Sequence, residues 1–164
     1  MKYSLGIMNY KPGSWIILVA LFFASLGARA ACVGENGASN RHPTVNDEFH
    51  ATPWVLLGRV VSSRTVSSAD DPGFYEWTVY DIEVTKAFKG HPPQLVKLIS
   101  ENSSGRFDMD SGKPYLLFVS RSRVPEMEGK EKLPRNYVDN CGNSGAVNDV
   151  QTTITIMKGI SQAR

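Results

Sequence analysis

The chain has 164 residues, 41% of them hydrophobic and 21% charged, with a formal net charge of +2 and two cysteines. This length suits one domain with a real core, and charge so close to balance gives no electrostatic footprint for a nucleic acid. The longest apolar run, Trp15 to Leu26, spans 12 residues, too short for a comfortable membrane span, which needs ~20.

The N-terminal region reads as a secretory signal. Residues 1–34 contain no Asp or Glu, Lys2 and Lys11 precede the apolar run, and Ala28-Arg29-Ala30 gives a small-x-small cleavage site. Cleavage after Ala30 leaves a single domain at 31–164, with its core expected at about 44–145; cleavage after Ala31 is the alternative. Lys2, Lys11 and Arg29 are three of the 18 basic residues, so 15 remain against 16 acidic ones and the mature net charge is about −1. A lipid anchor on Cys32 is not expected, because Arg29 stands where lipoprotein signals want an aliphatic residue.

Cys32 and Cys141 allow one internal pair, which an oxidising compartment favours; two buried free thiols are the alternative. Neither has a histidine nearby in a nucleophile motif.

Residues 33–43, rich in Gly, Asn and Ser, read as a lead-in. Thr44 with Asp47 predicts a capped helix anchored by Phe49 and stopped by Pro53. Trp54–Val61 predicts a strand, with a bulge or close backbone approach at Gly58, followed by a polar loop over Ser62–Gly73. In the strand Tyr75–Phe88 the apolar phase is odd at Tyr75, Trp77 and Val79 and even at Tyr80, Ile82 and Val84, which predicts a bulge near Val79–Tyr80. Leu95–Ile99 and the continuous apolar run Tyr115–Val119 predict a third and a buried fourth strand, and Tyr137-Val138 a short fifth. Arg121–Arg135 predicts a solvated loop. Residues 147–158 lean towards a C-terminal helix, by the spacing of Val147, Val150, Ile154 and Met157, with a strand, favoured by Thr152–Ile156, as the alternative. These elements predict a mainly β protein: a small five-stranded Greek-key, OB-fold-like barrel with a short N-terminal helix, a small sandwich being the other solution.

The motifs Val55-Leu56-Leu57-Gly58-Arg59-Val60-Val61, Tyr80 to Gly90, Gly112 to Phe118 and Asn140-Cys141-Gly142 appear in an order that resembles the netrin-like, or tissue-inhibitor-of-metalloproteinase-like, OB-fold family, exported bacterial members above all. The resemblance covers roughly residues 32–145. It implies a Cys32–Cys141 disulfide and a partner-binding ridge formed by Ala31, Cys32, Val33 and Gly34 beside the loops after Val61 and around Ser103 and Ser104. The animal inhibitors of this family chelate the target's zinc through the amine and carbonyl of a leading cysteine, a sound use of an open zinc position. In this chain that cysteine would fall at Ala30, and its disulfide partner near Ser103–Phe107, where there is no cysteine. The resemblance thus implies an exported, non-catalytic protein-binding module, akin to a metalloprotease inhibitor but lacking the leading chelating cysteine. The alternative is a structural or envelope-associated domain without a dedicated ligand.

Other chemistry is sparse. His42, His50 and His91 form no metal-ligand motif. Asp108, Asp110 and Gly112 echo the start of a calcium loop without its later ligands and read as a turn. Asn102-Ser103-Ser104 is a glycosylation sequon only in a eukaryotic secretory host. Arg121, Arg123, Lys130, Lys132 and Arg135 are interleaved with Glu126, Glu128 and Glu131. Trp54, Tyr75, Trp77, Tyr80 and Phe88 read as barrel core more readily than as nucleic-acid stacking platforms. No catalytic residue, metal or cofactor is expected.

Overall fold

The computed structural model describes Cys32 and residues 42–122, 127–128 and 131–162. The expected signal at 1–30, and Ala31, Val33 and Gly34 of the expected ridge, lie outside the described residues.

Helix α1 (Val45–Ala51) forms as the sequence predicts. Thr44 Oγ1 accepts the Asp47 N–H at 3.1 Å and donates to the Asp47 carboxylate at 2.8 Å, so the cap satisfies a helix donor that otherwise has no partner. Lys89 Nζ donates to the Phe49 and His50 carbonyls at the other end, where a cation complements the helix dipole.

Strands β1 (Trp54–Ser67), β2 (Tyr75–Lys89), β3 (Leu95–Glu101) and β4 (Pro114–Arg121) are followed by two-residue strands β5 (Met127–Glu128) and β6 (Glu131–Lys132), then β7 (Asn136–Val138), β8 (Gly145–Ala146) and helix α2 (Gln151–Gln162). The strands β1-β2-β3-β7-β4 run in that order, and β4 pairs back with β1, which closes a five-stranded barrel. All its pairings are antiparallel except β3 with β7, which is parallel. The protein is therefore mainly β with an OB-fold-like barrel. β8 adds to the free edge of β4, and β5 and β6 form a separate hairpin.

Three apolar clusters explain the strand patterns. Leu56, Val60, Tyr80, Ile82, Leu98 and Leu117 fill the barrel. Phe49, Val55, Leu116, Phe118, Ile154 and Met157 lie on its outer surface beneath α1 and α2. β4 is buried on both faces, which is why its apolar run is continuous. The third cluster, Val66, Val79, Ile99 and Leu133 with Trp77 against it, is small.

That third cluster corrects the reading of β2. No register shift occurs at Val79–Tyr80, where β2 pairs with both neighbours without interruption. The phase changes because Val79 packs outward with Ile99 and Leu133 while Tyr80 and Ile82 point into the barrel. The irregularities fall elsewhere, between Val55 and Leu56, Leu57 and Gly58, Val60 and Ser62, and Val66 and Ser67. Gly58 is one of these points, as expected, and a Cβ there would stand 2.4 Å from Ile82 Cγ2.

Two expected loops contain order. Ser62–Ser67 continues β1, because pairing with Tyr75–Asp81 satisfies its backbone and Val66 is buried. Leu133, within the expected solvated loop, is only 2% exposed. The tail is a helix: burial of Ile154 and Met157 outweighs the strand propensity of the threonines, and Thr155 Oγ1 donates to the Gln151 carbonyl at 3.0 Å. Met157 is fully buried although it lies beyond the expected core limit at residue 145.

Candidate functional site

β7 delivers Cys141 to Cys32, and the two are joined with a Cα–Cα separation of 5.5 Å across 109 residues of sequence, well inside disulfide geometry. Such a bond suits an oxidising compartment. Cys32 is 6% exposed. The Cys141 N–H donates to Asp139 Oδ1 at 2.8 Å, and the Cys141 carbonyl accepts from His42 Nδ1 at 2.9 Å.

The next residues are clamped by α1. Asn143 donates its backbone N–H and its Nδ2 to Glu48 Oε2, each at 2.7 Å, and Nδ2 also donates to the Pro43 carbonyl at 2.9 Å. A Cβ on Gly142 would lie 2.2 Å from Glu48 Oε1, so a side chain there would push the Glu48 carboxylate away from its Asn143 donors. Burial pushes the Glu48 carboxyl above the ordinary carboxylate range, and the Asn143 donors pull it back down in part. Sequence reading missed this clamp. Glu48 looks like an ordinary first-turn acid, and its partner lies 95 residues away.

Beside this end of the barrel, a cleft of about 700 Å³ runs along the seam between β3 and β7. Only Ile99↔Tyr137 are in register there. Trp77, Ile99 and Tyr137 supply apolar surface; Glu101, Ser103, Arg121, Asp139 and Asn140 supply polar groups. Register places Arg121 opposite Asn136, at the start of β7, and Asp139 just past its end. Tyr137 is 40% exposed.

The loop at the cleft's mouth is held in place. Ser103 Oγ accepts the Gly105 N–H at 3.3 Å, Arg106 pairs with Asp108 at 2.8 Å, and Ser100 Oγ accepts the Phe107 N–H at 2.9 Å. Asn102 Nδ2 donates to the Tyr75 carbonyl at 3.0 Å, which ties this loop to the tip of the β1–β2 ribbon. At that tip Phe74 and Tyr75 stack at 6.0 Å between ring centroids while 49% and 41% exposed. Hydrogen bonds from Ser68 N–H to the Phe74 carbonyl and from Phe74 N–H to the Asp71 carbonyl fix the turn.

Of the expected ridge, Cys32 is bonded next to Asn140, which lines the same cleft as Ser103. Ser104 is exposed and does not line it. The loop expected after Val61 begins only at Ser68, beyond the end of β1. Tyr80 and Phe88 are core residues and Trp54 packs against the barrel core; Trp77 is divided between the third cluster and the cleft. The signal for the cleft lay in the odd-phase residues Trp77 and Val79, whose face leads out of the barrel.

The remaining motifs resolve locally. Asp108 and Asp110 are engaged by Arg106 and Lys113 in a turn before β4. Among the described residues no three of His, Cys, Asp or Glu are grouped so as to hold a metal ion, and no helix is long and apolar enough to cross a membrane. Glu131 pairs with Arg64, and Arg135 Nε donates to the Ser122 carbonyl; Arg123, Glu126 and Lys130 lie outside the described residues. Comparison with protein-family models and with curated proteins finds no match for this chain.

Proposed function

We propose that this chain is an exported, non-catalytic OB-fold module of the netrin-like type that binds another protein, with a periplasmic or extracellular site of action. One observation carries the reading: a disulfide pins Cys32 to the end of β7, beside a braced loop that is tied in turn to a stacked, exposed aromatic pair. Rigid aromatic side chains of this kind are the commonest anchors of protein interfaces, because little conformational freedom is lost when they are buried. Phe74 and Tyr75 with the loop 102–106, beside the Cys32–Cys141 bond, form the proposed ridge. A metalloprotease is among the partners the reading admits. Zinc chelation by a terminal amine requires Cys32 to be the first mature residue, whereas the small-x-small site puts Ala31 there.

Site-specific photo-crosslinking tests the reading. A photoreactive residue at Tyr75 of the exported, disulfide-intact protein is expected to give one discrete protein adduct, and the same residue at the exposed Lys158 of α2 none. The purified adduct partner should then bind the unmodified protein saturably. No adduct from Tyr75, or equal adducts from both positions, would remove the proposal. N-terminal mass spectrometry decides the inhibitor branch: a start at Ala31 predicts no inhibition of zinc proteases by amine chelation.

A further inference from the structure

We infer that the free edge of β1 over Val61–Ser67 binds an extended peptide segment of another protein as an added strand. β1 pairs with β4 only from Trp54 to Arg59. The turn before β4 closes that side for one residue more: the Val60 N–H donates to the Lys113 carbonyl at 3.3 Å, and the Val60 carbonyl accepts the Gly112 N–H at 2.8 Å. Beyond Val60, β1 has β2 on one side and, among the described residues, no strand on the other. Backbone groups of an antiparallel strand point alternately to its two sides. Alternate residues of Val61–Ser67 therefore direct an N–H and a C=O away from β2, and such a row is a template for a further strand.

This stretch lacks the usual defences of an edge. Ser62–Val66 runs in unbroken register with Asp81–Trp77, and the irregularities fall on either side of it. Every residue from Val61 to Ser67 except Val66 is exposed. None is Pro or Lys, the common guards of a sheet edge. The single charge, Arg64, is taken up by Glu131, and the neighbouring Asp81 is held by Ser62 and Lys97. No uncompensated charge selects the occupant, so main-chain hydrogen bonds carry the recognition. The stretch spans roughly 23 Å between the turn at 110–113 and the loop at 68–74. A lone extended segment ends short of both. A second copy offering the same edge must bring its own 110–113 turn, bonded to its own Val60, alongside this stretch, which disfavours it. Register sets Ser67 opposite Tyr75, so the edge ends at the aromatic tip and one partner can reach both.

The edge is a surface distinct from the ridge, and amide hydrogen exchange on the exported, disulfide-intact protein, labelled with 15N, tests it. In the isolated protein, alternate amides of residues 61–67 are expected to exchange at the unprotected rate; uniform protection across the stretch overturns the inference. The probe is acetyl-Thr-Val-Thr-Val-Ser-Thr-amide at millimolar concentration. The control is acetyl-Thr-Pro-Thr-Pro-Ser-Thr-amide, whose prolines lack the N–H that an added strand must donate. The probe should slow the unprotected amides saturably, by about tenfold at about nine-tenths occupancy, and equally at low and high salt, because no charge pair is formed. The control should leave them unchanged. Failure of the probe to slow these amides, or equal slowing by the control, overturns the inference. So does protection that grows with protein concentration alone, which marks a second copy as the occupant. Edge protection by the probe with no photo-adduct at Tyr75 would remove the ridge proposal alone; an adduct at Tyr75 with no edge protection would remove this inference alone.

Discussion

The β1–β4 seam carries an unbroken ladder from Trp54↔Val119 to Arg59↔Pro114, whereas the β3–β7 seam has a single register pair, Ile99↔Tyr137. The first is sealed outside by α1 and α2, with Val55, Leu116 and Phe118 buried beneath Phe49 and Met157. The second opens into the cleft. Both belong to one closed barrel, so the closed side supplies stability that the open side can forgo. The bond between Cys32 and Cys141 sits at the open side, immediately after β7.

This contrast can be broken most forcefully at the disulfide. Replacing both cysteines by serine, or reducing the bond, removes a covalent loop of 109 residues; the chain-entropy model sets the loss at up to ~4.7 kcal/mol. Urea denaturation of oxidised and reduced protein measures it, and a loss near zero would mean that the seam closes without help. Phe49→Ala, on the closed side, should cost about 3–5 kcal/mol by the same assay, because a fully buried ring leaves a cavity under both helices. Gly58→Ala should cost about 1–3 kcal/mol, since its Cβ would collide with Ile82 within an ordered core.

Glu48→Gln sharpens the comparison through pH. The Glu48 carboxyl titrates higher when folded than unfolded, so between those two values the native state holds more protons. Stability contributed by this group therefore falls as pH rises from the ordinary carboxylate range through the raised native value, and is level above it. The glutamine variant should lose that slope, read from the pH dependence of Tm. The smallest effect is expected for Tyr137→Ala, within about 0.5 kcal/mol of the parent because the side chain is exposed. A loss comparable to that of Phe49→Ala would show that the open seam is also a structural seam.

The sequence made the barrel legible through local signals. The Thr44 cap, the continuous run at Tyr115–Val119 and the Gly58 interruption each reflect a constraint within a few residues, and each is where expected. The misreadings share a physical cause. The apolar phase changes at Val79 without a bulge because Leu133, 54 positions later, supplies a second apolar surface outside the barrel. Ser62–Ser67 looked like a loop because its side chains are polar, yet its backbone is paired with β2. The site was legible only in outline. Cys32 and Ser103 do approach one end of the barrel, but Trp77, Glu101, Tyr137 and Asp139 come together through the parallel β3–β7 contact, which no local pattern encodes.

The position of the disulfide also governs how the domain meets mechanical tension. A pull applied between the chain before Cys32 and the chain after Cys141 passes straight from one sulfur to the other. β8 and α2 both lie beyond Cys141 and pack on the barrel, so a pull from the C-terminus must strip these two before the disulfide carries the load, and the strands between the cysteines are then bypassed. Under tension the protein behaves as a short tether with a folded barrel hanging from it, and the ridge and cleft keep their shape while the line is taut.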